Sequence, residues 1–520
     1  MFQVNGKPFL MLAGEVHNSN SSTLTAMQPV WRIAKELGMN SILLPVSWEL
    51  IEPEEGKFDF GIVDGLIREA RENGLRLGFL WFGTWKNAGC GYAPAWVKTD
   101  LKRFPRAQLV KGKNKCRIEM FYGIEYTTLS VFGEETCKAD ARAFAQLCKH
   151  IKTIDKQEHT VIYIQVENEA GLLGAAREYS DIADERFAGE VPADFAAAMR
   201  AHSATMREDI RKSVKNGKEN GSWAEVYGDD AEEIFYTYHV AKYIDSVAAA
   251  GKAEYEIPMA VNVWLDQGGG PGAYPTGGPI NKMLELWKIC APHIDLLTPD
   301  IYVQNFLEVC DQYTRLGDPL MIPETATHGY AGSRLVYVIG HYHALGFSPF
   351  GFEELGEVAF SAGGALLGMD ETDPLLSIPQ NVEEYRWYNE TLASMMPMLT
   401  DAYGTGKLQA VISERPDENT LNFGVYRIGV NFESRFVSRR DGICLGLQIT
   451  QDTFYFVINA CALNVASNDE TWPHVDYLDV EEGHFEEGKW VCDRRLNGDE
   501  TGLMAFSKPT LLRVRLYSYR

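Results

Sequence analysis

The sequence predicts an α/β fold, a (β/α)₈ or TIM barrel followed by a C-terminal antiparallel β-sandwich-like domain. Residues 1–395 alternate short apolar runs with amphipathic helical stretches, and eight such runs fit a closed barrel better than an open doubly wound sheet. The turn after the first run, residues 14–19, is polar and carboxylate-bearing where a doubly wound sheet usually carries a glycine-rich phosphate turn. From about Thr400 the pattern changes to short alternating runs separated by Gly, Asn and Asp turns.

Each predicted barrel strand is a short run rich in β-branched, aromatic and other apolar residues. The first helical stripe, Met27, Val30, Trp31 and Ala34, ends at Gly38, which is typical of a helix C-terminus. The eight predicted strands are 9–13, 41–46, 75–81, 161–166, 257–263, 294–299, 320–323 and 347–350.

A long segment, residues 171–230, follows the fourth predicted strand and contains helical pieces. In a barrel, extra length after a strand lies on the catalytic face, so we expect this insert to wall a pocket. The catalytic barrel is therefore assigned to residues 1–395 and the C-terminal β domain to residues 396–520.

Composition excludes several classes of protein. The net charge of −23 repels nucleic acid, and no apolar run approaches the roughly 18–20 residues of a membrane span. The start of the chain has no basic region followed by an apolar stretch, so we expect a cytoplasmic protein without a secretory signal. Nine cysteines without Cys-x-x-Cys spacing favour free thiols over disulfides or a zinc site.

Two predicted strands end in carboxylates. Strand four ends in Glu167-Asn168-Glu169 and strand seven ends in Glu324. For one glutamate the alternative is a solvated strand end or a structural ion pair, but two such ends in one barrel favour catalysis, because a carboxylate at a barrel rim costs desolvation. Hydrolysis of a glycosidic bond needs two carboxyl groups. Spacing leaves Glu167 and Glu169 tied, since both lie on one face of an extended strand.

Six strand ends, taken in order, resemble glycoside hydrolase family 35, the β-galactosidase family, in its bacterial branch with a small C-terminal β domain. The resemblance covers the barrel and extends weakly into the tail. Its segments are residues 14–17, 48–60, 81–87 with 92–96 behind them, 165–169, 299–302 and 322–324.

The resemblance implies roles for four residues. Glu169 would be the acid/base and Glu324 the nucleophile of a retaining mechanism, which requires no metal or organic cofactor. Asn168 would hydrogen-bond the sugar 2-hydroxyl, and Tyr302 would donate a hydrogen bond to Glu324.

Further substrate contacts are predicted from the residues near strand ends. Tryptophan rings suit the apolar C–H faces of sugars, with barrel packing as the alternative for each; Trp85 is favoured because Lys86 and Asn87 beside it supply hydrogen-bond donors. His341 and His343 lie two apart on a predicted helix and face away from each other, which argues against a shared metal. The remaining candidates for substrate contact are Trp48, Trp81, Trp264, Asn262, His17, Asn18, Glu353 and Glu354.

The expected function is exo-acting hydrolysis of a terminal β-linked sugar, with galactose first, from small oligosaccharides or glycosides. Family members carry an acidic residue in the strand-three segment, and residues 83–87 lack one, so a β-glucosidase or a β-glucan transglycosylase with the same residues is the alternative. A catalytically silent carbohydrate-binding barrel is the alternative from another class. A homo-oligomer formed through the C-terminal domain is also left open.

Overall fold

The structure is a computed structural model and describes residues 1–113, 115–119, 125–266, 268–357, 378–433, 437 and 441–520. None of the helices within these ranges is long and apolar enough to cross a lipid bilayer.

Eight strands form a nearly closed barrel, which confirms the predicted fold class. They lie side by side in the order β6-β5-β4-β3-β2-β1-β8-β7, and the pairs β6–β5, β5–β4, β4–β3, β1–β8 and β8–β7 are parallel. All eight predicted strands are present. Their bounds are β1 Met11–Glu15, β2 Ser41–Ser47, β3 Arg76–Lys86, β4 Val161–Asn168, β5 Met259–Trp264, β6 Leu296–Asp300, β7 Ile322–Thr325 and β8 Gly346–Pro349.

Helices alternate with the strands of the barrel. The four longest helices between barrel strands run from 12 to 24 residues and bury apolar residues. The longer helices between β1 and β4 are α1 Leu24–Glu36, α2 Gly61–Glu72 and α3 Glu134–Asp155. After the insert come α8 Ala231–Glu254, α9 Leu284–Cys290, α10 Phe306–Thr314 and α11 Ala331–His341, and α12 Val382–Ala402 leads into the C-terminal domain.

The predicted insert consists of four short helices between β4 and α8, namely α4 Asp181–Ala188, α5 Ala193–Ala201, α6 Glu208–Asn216 and α7 Trp223–Tyr227. A second long connection, between β3 and α3, was not anticipated. It contains a short helix, Ala95–Thr99, and a hairpin of Arg117–Glu119 with Glu125–Thr127. Extra length after β3 and β4 lies at the carboxyl ends of these strands, where barrel enzymes build their sites.

Contacts divide the chain into two units. One unit is Met1–Glu15, Arg32–Ser41 and Pro319–Arg520, and the other is Val16–Trp31 and Ile42–Asp318. The first contains β1, β7, β8 and the C-terminal β domain, and the second contains β2 to β6 with the insert. The domain boundary assigned at residue 395 falls inside α12.

The C-terminal domain contains two antiparallel sheets, as predicted. One has the order β9-β12-β13-β18-β15-β16 and the other β10-β11-β14-β17. Alternate side chains of both sheets, such as Ile428, Phe456 and Leu512, form one buried cluster. The strands are β9 Leu408–Ile412, β10 Thr420–Phe423, β11 Tyr426–Asn431, β12 Ile443–Gln448, β13 Thr453–Asn459, β14 Cys461–Ser467, β15 His474–Glu486, β16 Lys489–Leu496, β17 Ala505–Phe506 and β18 Thr510–Tyr519.

Candidate active site

The carboxyl end of β4 departs from extended geometry. Glu167 and Glu169 have φ values of 64° and 45°, a region that side-chain-bearing residues seldom adopt. The strand alternation on which the sequence analysis relied therefore fails over the last residues, and the two glutamates enter different surroundings. Such strain is found where the surrounding contacts hold the backbone in place, often at functional sites.

Glu169 is almost fully buried and is held from three directions. The side-chain amide of Asn87 donates to its Oε2 at 2.7 Å. Its backbone N–H donates to Oδ1 of Asn262 at 2.9 Å, and its carbonyl accepts the N–H of Ala88 at 3.1 Å. Asn87 and Ala88 also have positive φ, so the turn after β3 folds back to meet the end of β4.

Asn262 links the ends of three strands. While its Oδ1 holds Glu169 on β4, its Nδ2 donates to Oδ2 of Asp300, the last residue of β6, at 2.7 Å. Carboxylate oxygens of Asp300 and Glu169 lie within 4.8 Å of each other. The sequence analysis quoted Asp300 within a matched segment without nominating it, although it ends an apolar strand in a carboxylate just as Glu324 does.

Lys86 is the last residue of β3 and contacts Asn168, the last residue of β4. Its Nζ donates to Oδ1 of Asn168 at 3.0 Å and lies 5.1 Å from the ring centroid of Phe82. The lysine side chain is buried, unlike that of an ordinary surface lysine. This contact fixes which end of the Asn168 amide faces Lys86.

Glu167 lies in a buried polar cluster between β3 and α3. Its Oε2 accepts the backbone N–H of Trp85 at 2.7 Å, and burial, followed by the neighbouring Asp140, raises the pKa of its carboxyl well above the usual range. Asp140 in turn accepts hydrogen bonds from Trp81 at 2.9 Å and Thr84 at 2.7 Å. Glu167 is thus an interior partner of Asp140, where burial favours the neutral form of its carboxyl, and this position separates it from Glu169.

Gly83 makes this cluster possible. A Cβ at that position would lie 2.3 Å from Nε1 of Trp81, 2.7 Å from Oε1 of Glu167 and 2.8 Å from Oδ1 of Asp140. Any side chain would therefore displace the cluster that supports β3 next to Glu169.

The tryptophans divide by burial. Trp48 is fully buried and donates to Glu52 at 2.9 Å, and Trp81 is buried against Asp140. Trp85 is fully buried with its ring edge-on to Tyr243, the centroids 4.8 Å apart. Burial supports barrel packing over a sugar platform for these three. Trp264, the last residue of β5, is only half-buried and is the best remaining platform candidate.

The other predicted site residues lie at or just after strand ends. Glu324 is buried at 4% exposure within β7, one residue from its end. His17 and Asn18, after β1, and Tyr302, after β6, are half-buried. Glu353, half-buried, and Glu354, exposed, lie in the short helix Phe352–Glu354 after β8. Their roles stay predictions.

A buried carboxyl in the loop after β4 gives a pH test of the fold. Glu178 accepts hydrogen bonds from the hydroxyls of Ser130 at 2.8 Å and Ser180 at 2.5 Å, and burial raises its pKa to about 7. Its neutral form is favoured in the folded state. This contribution to stability is fully present below the unfolded-state pKa near 4.5 and is lost as pH rises through about 7.

In wild type, ionisation of Glu178 should lower the free energy of unfolding by about 3 kcal/mol as the pH rises from 4.5 to 8. We expect Glu178→Gln to lack this loss. Urea unfolding at pH 4.5, 6 and 8 measures it, with the exposed Glu185→Gln as the matched control. Parallel pH profiles for Glu178→Gln and wild type would contradict a neutral Glu178.

Comparisons with known proteins bear on both parts of the chain. Residues 1–106 match the model of glycosyl hydrolases family 35, and residues 387–507 match a domain of unknown function, DUF5597. A β-galactosidase of Xanthomonas manihotis is 31% identical over 103 residues, which cover 18% of this chain and 17% of the relative. The match thus spans about a sixth of that relative's length.

Solved structures with partial similarity include β-galactosidases and a β-amylase. The β-galactosidase of Rahnella sp. R3 aligns at 16% identity and a TM-score of 0.44, over 67% of this chain and 51% of that one. That of Bacillus circulans sp. alkalophilus aligns at 14% and 0.45, over 76% and 58%. The catalytic domain of β-amylase from Paenibacillus polymyxa aligns at 13% and 0.47, over 73% and 97%.

The family match covers the first three barrel strands and the segments at their ends, including Gly14–His17 and Trp81–Asn87, on which the predicted resemblance was based. The resemblance is confirmed, and residues 1–106 are similar to glycosyl hydrolases family 35.

Proposed function

We propose that the chain is a retaining, exo-acting β-glycosidase, with a β-galactoside as its first expected substrate, Glu169 as acid/base and Glu324 as nucleophile. The observation that carries the proposal is the set of hydrogen bonds that hold Glu169. The carboxyl of Glu169, buried at the end of a barrel strand, accepts a hydrogen bond from Asn87, and the backbone N–H of Glu169 donates to Asn262.

The proposed reaction has two displacements. Glu324 attacks the anomeric carbon while Glu169 gives its proton to the glycosidic oxygen, and the leaving group departs as an alcohol. Glu169, now a carboxylate, takes a proton from water, which attacks the covalent glycosyl-enzyme and frees Glu324. Two inversions at one carbon leave the configuration retained.

The contacts of Glu169 suit the acid step. Because the Asn87 amide donates to Oε2, the proton to be delivered belongs on Oε1, and the hydrogen bond fixes the rotation of the carboxyl. Lys86 orients the amide of Asn168, which in this proposal meets the sugar 2-hydroxyl. Tyr302 is proposed to donate to Glu324.

Two observations bear on which sugar is hydrolysed, namely the curated relative and the strand-three segment. The Xanthomonas manihotis relative is a β-galactosidase, which favours galactose. Family members carry an acidic residue in the strand-three segment, which in this chain contains Thr84 instead. The Thr84 hydroxyl donates to Asp140 in the interior cluster and so is directed away from a substrate. Lys86 and Asn87 are the polar groups that this segment presents beside Glu169.

A panel of nitrophenyl β-glycosides tests the proposal directly. The β-galactoside should be hydrolysed fastest among the galactoside, glucoside, xyloside and fucoside, at the same rate with and without a chelator. A faster β-glucoside would establish the β-glucosidase alternative. Absence of hydrolysis on all four, with sugars still bound, would contradict the enzyme and leave the silent barrel.

A further inference from the structure

The C-terminal β domain carries a cleft that the proposed reaction does not use. Its volume is about 500 Å³, within the range of small-molecule sites. The lining includes Trp472 and Tyr517 as well as the polar residues Thr450, Gln451, Asp452 and Asp469. These residues come from the β12–β13 turn, the segment before β15 and the end of β18.

The aromatic rings of this cleft are exposed to water, which is unfavourable for their apolar surface. Trp472 and Tyr517 are 42% and 41% exposed, and Tyr519 beside them is 42% exposed. Strand alternation places Tyr517 and Tyr519 outward, while Leu516, just before them, fills the core. The rings of Tyr517 and Tyr519 stack with centroids 5.7 Å apart, so they form a continuous aromatic surface. Grouped exposed aromatics of this kind mark binding surfaces.

Two of these rings are held in place before any ligand arrives. The guanidinium of Arg520 lies 4.7 Å from the ring centroid of Trp472. The pairing of Asp476 with Tyr517 and of His474 with Tyr519 fixes the end of β18. A fixed ring loses little conformational freedom on binding, which favours affinity.

The polar lining consists of acceptors and hydroxyls with capacity to spare. Asp452 accepts one hydrogen bond from the hydroxyl of Tyr426 at 2.9 Å, and Asp469 accepts one from the N–H of Thr471 at 2.8 Å. Each carboxylate has about four acceptor positions, so both retain sites for donors. Arg515, which lines the cleft, is paired with Asp479, so its charge is already compensated.

The combination selects the class of ligand. Exposed rings take the apolar C–H face of a sugar, and carboxylates beside them accept its hydroxyl groups. The same carboxylates, in a chain of net charge −23, disfavour an anionic ligand. We propose that this cleft binds a neutral, β-linked polysaccharide and so holds the chain on its substrate. The inference rests on the proposed function only in the class of ligand.

The test uses the full chain in native gels that contain soluble β-1,4-galactan, mixed-linkage β-glucan or polygalacturonate. At least one neutral polymer should retard wild type, and polygalacturonate should not. Trp472→Ala and Tyr517→Ala should each raise the dissociation constant about tenfold, as expected for loss of one ring contact. Leu503→Ala, at an exposed apolar residue outside the cleft, is the matched control and should behave as wild type.

Hydrolysis of a nitrophenyl glycoside separates this inference from the proposed function. All three variants should hydrolyse it at the wild-type rate. If the polymer retards wild type but not Trp472→Ala, and wild type hydrolyses no glycoside, the result would support polysaccharide binding in the cleft and contradict the proposed glycosidase activity. Equal retardation of wild type and Trp472→Ala, or none of wild type, would overturn the cleft. A change from dimer to monomer in Trp472→Ala on gel filtration would also overturn it, because the surface would then be an interface between copies.

Discussion

Glu324→Ala should lower kcat for a nitrophenyl β-galactoside by about 10⁵-fold, the scale of losing a catalytic nucleophile. Alanine leaves no group to form the covalent intermediate, and the space vacated by the carboxylate admits a small anion. Azide should therefore restore turnover, attacking from the face that Glu324 occupied and yielding the glycosyl azide of inverted configuration.

Glu169→Ala is the matched comparison for azide. In this variant Glu324 still forms the intermediate, so azide should attack the glycosyl-enzyme and give the azide of retained configuration. NMR of the two azides distinguishes the roles. The same configuration from both variants would contradict the assignment of the two glutamates.

Glu169→Ala should have the second largest effect, and the size should depend on the leaving group. Loss of a general acid costs about 10²–10⁴-fold when the leaving oxygen needs a proton, as in an alkyl β-galactoside. A nitrophenolate with low pKa leaves without help, so its release in the first step should suffer far less. Single-turnover rates for a series of leaving groups measure this dependence.

Glu167→Gln is the control on the same strand. Because burial and the neighbouring Asp140 raise the pKa of Glu167 and so favour its neutral form, an uncharged amide suits its place in the cluster. We expect it to keep the wild-type dependence on the leaving group. If Glu167→Gln instead shows the steep dependence and Glu169→Ala does not, the acid/base is Glu167.

The barrel was predictable because its signals are local. Each strand is an apolar run bounded by turns, and burial on both sides makes such runs nearly uninterrupted, as in β2 and β4. The connection between β3 and α3 was missed, since its short helix and hairpin carry weak periodicity. The domain boundary expected at residue 395 lies inside α12, because a helix that continues past such a boundary shows no break in its sequence pattern.

The candidate site follows from the sequence in composition but only partly in arrangement. Carboxylates at strand ends nominated Glu324 and the pair at 167 and 169. The sequence could not separate Glu167 from Glu169, because the positive φ values that turn them apart are set by long-range contacts such as that of Asn262. The same holds for Trp85, whose burial against Tyr243 depends on a helix far along the chain.

The identity of the nucleophile is the central claim, and covalent trapping tests it most directly. The 2-deoxy-2-fluoro glycosyl fluoride of the sugar hydrolysed fastest should inactivate the enzyme, because the fluorine slows release of the intermediate more than its formation. Peptic digestion and mass spectrometry then locate the added sugar. The label is predicted on Glu324. A label on any other carboxylate would contradict the account, as would hydrolysis of the reagent with inversion of configuration and without inactivation of the enzyme.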